Sequence, residues 1–143
     1  MYDRILLPTD GSDATNPAVE QAIGLARETG AELHVLFVVE DIPYAPEMMD
    51  DRVEDQLRTI GEEAIEQIRE RADEEGVDLV TAIREGAPHN SILGYADEED
   101  IDAIVMGTHG RSGLDRYLLG SVTERVVRTA DVPVLTVRKS EEE

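Results

Sequence analysis

Apolar and polar residues follow two patterns along the chain, one typical of buried strands and the other of amphipathic helices. Short apolar runs predict five strands, at 2–8, 32–39, 77–84, 102–106 and Val134 to Val137. Between these runs the apolar residues recur every three or four positions, as Val19, Ala22 and Ala26 do. This spacing places them on one face of a helix, so a helix is predicted between each strand and the next.

Proline, glycine and capping residues bound the predicted helices. The four helices run from Asn16 to a stop at Gly30, from about 51 to a stop at Gly76, from Ala87-Pro88 through Ala96, and from Ser121 to about 129. Residues 41–50 contain two prolines and form the longest irregular stretch. They are predicted to be mobile surface.

Strands that alternate with helices of this length are predicted to pair in parallel through right-handed crossovers. The sequence therefore predicts an α/β fold, an open five-stranded parallel sheet with helices on both faces. Patterning alone leaves the order of the strands open. In such a sheet, ligands bind beyond the carboxyl ends of the strands, where the strand order reverses.

Length and composition fit a single domain over residues 1–143. The 143 residues suffice for one core, and no internal repeat or low-complexity linker divides them. The absence of cysteine excludes disulfides and cysteine-bound metals. The chain enters a strand directly after its first residues, and no apolar run approaches the ~20 residues that span a membrane. We therefore expect a soluble, cytoplasmic protein without a membrane partner.

The charge of the chain is strongly negative, with 33 acidic against 13 basic residues and a formal net charge of −20. Lys139 is the only lysine. This composition predicts a solvated acidic surface adapted to a cytoplasm of molar salt, that is, a halophilic protein. It argues against nucleic acid as a partner, because a nucleic-acid binder needs a basic stripe to displace counterions from phosphates.

Residues 107–130 differ from this background, since they hold four arginines and two acids, a local balance of 4 − 2 = +2. Arg125 and Arg128 are expected to lie on the exposed face of a helix. Arg111 lies within a glycine-rich turn, where its guanidinium could meet phosphate oxygens or pair with a nearby carboxylate.

That glycine-rich turn directly follows the fourth strand and precedes the last helix. It reads Gly107-Thr108-His109-Gly110-Arg111-Ser112-Gly113, and Gly120-Ser121-Val122 follow after a short gap. Two glycines three residues apart let backbone N–H groups approach an anion, and the N-terminus of the next helix adds partial positive charge. We expect Ser121 at the capping position of that helix. The turn therefore predicts a phosphate site.

The spacing of Gly107, Gly110 and Gly120-Ser121 resembles the nucleotide-binding signature of the ATP-binding branch of the universal stress protein family. Further matches are Ile5 to Ser12, Leu36 to Val39 and Val132 to Val137, so that the resemblance covers essentially all 143 residues. It implies the strand order 3-2-1-4-5 of a Rossmann-like sheet similar to that of adenine nucleotide alpha hydrolases. The crevice would then lie between the first and fourth strands.

The resemblance also implies a role for each matching residue around bound ATP, AMP or ADP. On the adenosine side would lie Pro8, Thr9 and Asp10, with the backbone of Val38 at the adenine edge. The ribose and phosphates would be surrounded by Met106, Gly107, Gly110, Arg111 and Ser112, and the phosphate tail would meet Gly120, Ser121 and Val122. The residues alone leave open that Asp10 caps the first helix, that Ser121 caps the last, and that Val38 is plain core.

The three histidines do not predict a metal site. His34 in an apolar strand and His89 at a helix start are expected to be structural, whereas His109 could touch phosphate or pack the loop. No carboxylate stands at ligand spacing from them. Any metal ion would be Mg²⁺ or Mn²⁺, held mainly by the phosphates of the nucleotide.

The sequence shows no catalytic motif beside the glycine turn. A P-loop needs Gly-Lys-Ser/Thr, and a dinucleotide fingerprint needs more than Gly11 after the first strand. We therefore expect a nucleotide-binding regulatory or stress-response protein with at most slow ATP hydrolysis. One alternative is an enzyme that splits ATP at the α-phosphate, although residues 8–12 do not match the serine-glycine-glycine-x-aspartate-serine loop of that group. A second is a dimeric scaffold that binds no nucleotide.

The last strand, Val134 to Val137, is apolar and would lie at an edge of the sheet in the implied order. An exposed apolar edge invites pairing with another strand. We expect a homodimer in which the last strands of two copies pair across a two-fold axis, as the resemblance also implies. The alternative is that the acidic tail alone guards the edge.

Overall fold

The computed structural model describes residues 2–11, 16–40, 51–108 and 120–138. Strands and helices alternate within these ranges as β1 (Arg4–Thr9), α1 (Asn16–Thr29), β2 (Glu32–Glu40), α2 (Asp51–Glu74), β3 (Leu79–Gly86), α3 (Pro88–Glu98), β4 (Ala103–Gly107), α4 (Ser121–Thr129) and β5 (Val134–Val137). Each predicted strand and helix is present, with small shifts of its ends. The irregular stretch predicted at 41–50 lies outside the described residues.

The strands form one parallel sheet in the order β3-β2-β1-β4-β5. This confirms the α/β fold and the 3-2-1-4-5 order. β1 lies at the centre, paired with β2 on one side and with β4 on the other. The order therefore reverses between β1 and β4, which is where ligands bind in open α/β sheets.

Helices cover both faces of the sheet, and each face has its own apolar core. Ile5 and Leu7 of β1 point to the face covered by α1 and α2, whereas Leu6 points to the face covered by α3 and α4. All three side chains are fully buried. Burial of one such side chain contributes about 1.5–3 kcal/mol, so the central strand is held firmly from both sides.

A glycine cap ends α2 and explains why β3 begins later than its apolar run predicts. Gly76 has φ +72°, and the N–H of Val77 donates to the carbonyl of Ala72 at 2.9 Å. This is the hydrogen bond of a Schellman motif, in which the residue after the glycine packs back on the helix. The prediction of a strand from 77 was therefore wrong by two residues, since β3 begins at Leu79.

Ion pairs link exposed side chains of neighbouring elements. Arg27 of α1 contacts Glu75 at 2.6 Å, and Arg84 of β3 contacts Glu98 of α3 at 2.8 Å. The hydrogen bond from Arg84 holds the pKa of Glu98 below its usual range. Exposed pairs of this kind contribute about 0–1 kcal/mol each. No helix within the described ranges is both long and apolar enough to cross a bilayer.

Asp102 joins the starts of β1 and β4. Its Oδ2 atom accepts the backbone N–H of Asp3 at 2.8 Å and that of Arg4 at 3.0 Å. Both hydrogen bonds favour the carboxylate, and they hold the pKa of Asp102 below its usual range.

Asp102→Asn is expected to lower the free energy of unfolding by about 1 kcal/mol at pH 7, because a neutral amide is a weaker acceptor than a carboxylate. The pKa is depressed in the folded state, so this stabilisation is present above the unfolded-state pKa of about 3.9. It is lost as the pH falls through the folded-state value. Urea unfolding of both proteins at pH 7 and at pH 3 measures the effect.

The matched control is Asp97→Asn, which removes the same charge from an exposed position of α3. Its effect on unfolding should stay within about 0.5 kcal/mol. Equal stability of the unmodified protein and Asp102→Asn at pH 7 would contradict the role given to Asp102.

Candidate functional site

The carboxyl ends of β1 and β4 lie side by side at one edge of the sheet. The ladder between the two strands stops at Leu6 and Ile104, although β1 continues to Thr9 and β4 to Gly107. Pro8, which has no N–H to donate, lies in the part of β1 beyond this ladder. Beyond Leu6 and Ile104 no ladder joins the two strands, and this is the place where open α/β sheets form the crevice that binds ligands.

The turn after β1 is shaped by Thr9 and Gly11. Gly11 has φ +81°, a conformation that favours glycine, and its N–H donates to Thr9 Oγ1 at 3.1 Å. Thr9 is buried and Asp10 is half-buried. Asp10 is thus held between two fixed residues at the end of β1, beside the crevice.

A hydrogen bond from α4 fixes the end of β4. Gly107 is buried, and its carbonyl accepts the hydroxyl proton of Thr123 at 2.8 Å. Met106, one residue earlier, is 5% exposed and belongs to the core under α3 and α4. The backbone of Gly107 is therefore held in place on the β4 side of the crevice.

A short hydrogen bond joins the two residues that flank the glycine-rich segment 109–119. The N–H of Gly120 donates to the carbonyl of Thr108 at 2.6 Å, so that the residues before and after 109–119 are directly joined. Gly110, Arg111 and Ser112, together with His109, lie within that segment and outside the described residues. The residues on both sides of the segment therefore lie at the carboxyl end of β4.

The first turn of α4 opens at the same place. Gly120 is the N-cap residue, with φ −64° and ψ 156°, and Ser121 is the first residue of the helix. The prediction of Ser121 at the capping position is therefore wrong by one residue. Because glycine has no side-chain oxygen, the cap residue cannot itself accept the first-turn N–H groups, which remain suited to an anion. Ser121 is exposed, and Val122 packs on the core below.

Val38 lies one strand further from the crevice, near the end of β2. Its side chain packs on the core under α3 and α4, and β2 pairs it with Arg84 of β3. The interpretation of Val38 as core therefore holds for its side chain. A role of its backbone in binding is compatible with that packing.

His34 lies near the amino end of β2 and belongs to a network of polar side chains. Its ring is 3% exposed, with Nδ1 2.7 Å from the hydroxyl of Tyr95 and Nε2 2.8 Å from a carboxylate oxygen of Glu32. Burial raises the pKa of Tyr95. Both ring nitrogens are satisfied, which confirms a structural histidine. In the described part of the chain, no three His, Asp or Glu side chains form a group that could hold a metal ion.

Two residues to which the sequence pattern assigns no role at the site lie next to the Gly11 turn. Phe37 of β2 and Ile60 of α2 would lie 3.3 Å and 3.2 Å from a Cβ placed on Gly11. Phe37 also lies against Gly61 of α2. A glycine inside the otherwise strong helical pattern of α2 is the signal that could have indicated this contact.

A surface cleft of about 230 Å³ lies between α1 and α2, lined by Glu20, Ile23, Gly24, Arg27, Arg71, Glu74 and Glu75. Its charged groups pair with each other, Arg27 with Glu75 and Arg71 with Glu20. The ends of α1 and α2 that form it lead into the amino ends of β2 and β3. The cleft is therefore separate from the crevice between β1 and β4.

Comparison with known proteins agrees with this architecture. A model of the universal stress protein family matches residues 1–138. The universal stress protein MJ0531 of Methanocaldococcus jannaschii is 40% identical over 146 aligned positions, which take in 100% of this chain and 86% of the relative.

Two solved structures share the fold at full length. That of MJ0577 from the same organism superposes with a TM-score of 0.87 at 30% identity and covers 99% of each chain. A universal stress protein solved in complex with cAMP superposes with a TM-score of 0.71 at 28% identity, over 97% of this chain and 98% of its own. The match to the family model and the identity to MJ0531 place this chain in the universal stress protein family.

Proposed function

We propose that the protein binds an adenine nucleotide in the crevice between β1 and β4 and acts in a regulatory or stress-response role. ATP is the expected ligand, with AMP and ADP as alternative states. The hydrogen bond between Gly120 and Thr108 carries the proposal, because it holds the N-terminus of α4 at the carboxyl end of β4, the strand that pairs with β1. A related universal stress protein solved in complex with cAMP supports the choice of an adenine nucleotide.

The proposed contacts divide the crevice into a nucleoside side and a phosphate side. The nucleoside side consists of Pro8, Thr9, Asp10 and the backbone of Val38. The ribose and phosphates contact Met106, Gly107, Gly110, Arg111 and Ser112, and the phosphate tail reaches Gly120, Ser121 and Val122. Backbone N–H groups and the positive end of the α4 dipole stabilise the phosphate charge.

Phosphate oxygens of the nucleotide would hold most of the coordination sphere of Mg²⁺ or Mn²⁺. These ions prefer oxygen ligands and commonly bind through substrate phosphates and one or two carboxylates. We propose at most slow hydrolysis, since P-loop, nucleophile-elbow and kinase motifs are absent from the sequence.

Mass spectrometry of the ligand released from purified protein tests the proposal, followed by calorimetric titration of ATP and AMP with Mg²⁺. An adenine nucleotide in the released fraction and saturable binding are expected. A reaction product of α-phosphate cleavage would favour an enzyme instead. If no ligand is released and neither nucleotide binds in the titration, the protein has the family fold without a nucleotide function. That result would overturn the proposal.

We also propose one domain over 1–143 and a cytoplasm rich in salt as its setting. The family match over residues 1–138 supports the first. The excess of 20 acidic over basic residues supports the second.

A homodimer through β5 is the proposed assembly. β5 is an edge strand that pairs with β4 alone in the sheet, and Leu135 at its centre is 46% exposed. Pairing with β5 of a second copy would satisfy the edge backbone groups and bury Leu135.

Leu135→Lys is expected to convert dimers to monomers, because two lysines would face each other near the two-fold axis without counter-charges. Light scattering should show the molecular mass halve, and nucleotide binding should persist. Ile60→Lys makes the same change at an exposed apolar position of α2 and should leave the mass unchanged. An unmodified protein that is monomeric at micromolar concentration in high salt would refute the dimer.

A further inference from the structure

Gly61 lets the backbone of α2 lie directly against the ring of Phe37. A Cβ atom placed on Gly61 would lie 2.4 Å from Cδ2 and 2.7 Å from Cε2 and Cγ of that ring. Carbon atoms attract each other at about 3.5–4.0 Å and repel strongly at such distances. Phe37 is 2% exposed, so the ring is enclosed and cannot turn out into solvent.

The opposite side of the same ring faces the turn after β1. A Cβ atom on Gly11 would lie 3.3 Å from Cε1 of Phe37, and Cε1 is the ring atom across from Cδ2. β1 and β2 pair Phe37 with Thr9, whose hydroxyl oxygen accepts the N–H of Gly11. The ring is therefore held between α2 and the Gly11 turn, and a push from α2 is directed at that turn.

Other helix glycines lack this constraint. A Cβ on Gly24 of α1 or on Gly94 of α3 would meet no described atom within 4 Å. Glycine in a helix interior costs about 1 kcal/mol relative to alanine. At position 61 the small size of glycine is needed for the contact itself.

We infer that the packing of Gly61 on Phe37 positions the Gly11 turn, and with it Asp10, for binding the nucleoside part of the ligand. The inference rests on the proposed nucleotide binding and adds Gly61 and Phe37 to it as positioning residues. They lie beneath the turn and act through it.

Gly61→Ala tests the inference. The methyl group must displace the Phe37 ring towards Gly11, so the affinities for AMP and ATP should each fall about ten-fold or more. The fold-loss of affinity should be the same for AMP and for ATP, because the nucleoside part is common to both ligands. Calorimetry well below the melting temperature separates this effect from a general loss of stability, since a protein that is still almost fully folded keeps its intrinsic affinity.

A double-mutant cycle with Phe37→Ala isolates the contact. In the Phe37→Ala background the ring is gone together with its Cγ atom, which lies 2.7 Å from the added Cβ, so adding Gly61→Ala should change the affinity by less than about two-fold. The matched control is Gly94→Ala, where a methyl group meets open space, and it should bind both nucleotides as the unmodified protein does.

The outcomes separate the inference from the function on which it rests. Failure of the unmodified protein to bind AMP or ATP would remove the proposed function. If the unmodified protein binds the nucleotides and Gly61→Ala binds them with equal affinity, only the positioning role is overturned. If Gly61→Ala does not fold, Phe37→Leu decides, because loss of the ring should weaken both nucleotides about three-fold or more. Unchanged affinity in that variant would overturn the inference.

Discussion

Gly107→Val is expected to abolish nucleotide binding, with a loss of affinity of about 100-fold or more. Gly107 is buried at the end of β4, and its carbonyl is held by the hydroxyl of Thr123 at 2.8 Å. The backbone therefore cannot retreat to make room for a branched side chain. In the proposed complex, the valine would occupy the space in which ribose and phosphates approach the backbone.

The size of the loss follows from the number of contacts removed. Each hydrogen bond to a charged phosphate oxygen is worth about 1.5–3 kcal/mol. Two such bonds correspond to about 100-fold in affinity or more. Calorimetric titration with ATP and Mg²⁺ measures it, once circular dichroism has shown that the variant is folded.

Two further variants complete this experiment. Gly110→Val makes the same change within the glycine-rich segment and should also abolish binding, so this variant tests the proposal if Gly107→Val does not fold. Gly94→Ala, in open space on α3, should bind normally. Undiminished ATP affinity in a folded Gly107→Val or Gly110→Val protein would rule out the proposed crevice.

The two periods of the apolar pattern were sufficient to predict the elements of this fold. The predicted start of β3 was wrong because the cap of α2 takes up the first residue of the apolar run. Val77 is apolar and buried, as a strand residue would be, but its N–H completes the cap of α2. The strand order was not contained in the periodicity, because pairing depends on contacts between distant segments. It followed only from the resemblance, and the sheet confirms it.

The candidate site was predictable where it depends on local chemistry and not where it depends on packing. The glycine spacing predicted a phosphate site between Gly107 and Gly120, since phosphate binding demands free backbone N–H groups. The contact of Gly61 with Phe37 joins residues of different elements. In the sequence, Gly61 indicates only a position of low helix propensity within a helix. The cap of α4 was misplaced because glycine and serine both serve as N-caps and stand side by side.

The melting temperature is expected to fall as salt is removed. The chain carries 33 acidic and 13 basic residues, so that 33 − 13 = 20 acids stay without a cationic partner even if every basic residue forms one pair. The Debye length grows from about 3 Å in 1 M salt to about 10 Å in 0.1 M salt. Repulsion among these acids therefore acts over longer distances at low salt and favours expansion of the chain.

Ion pairs act in the opposite direction, but their stabilisation is too small to outweigh the repulsion among the acids. Contacts such as Arg27 with Glu75 and Arg58 with Glu85 strengthen when salt is removed, yet exposed pairs contribute about 0–1 kcal/mol each. A net loss of about 3 kcal/mol corresponds to a drop of roughly 10 °C for a chain of this size. Calorimetric scans from 2 M to 0.1 M KCl measure it.

A charge-reduced variant separates screening from a general effect of salt on hydrophobic burial. Glu62, Glu63 and Glu70 are exposed on α2, and replacing all three by glutamine changes the formal net charge from −20 to −17. If repulsion is the cause, this variant should have a higher melting temperature than the unmodified protein at 0.1 M KCl. Its melting temperature should also fall less when the salt is diluted. Strengthened burial by concentrated salt would act on both proteins alike. Parallel salt curves for the two proteins, or a midpoint that stays flat or rises as KCl is diluted, would show that the acidic surface is not an adaptation to molar salt.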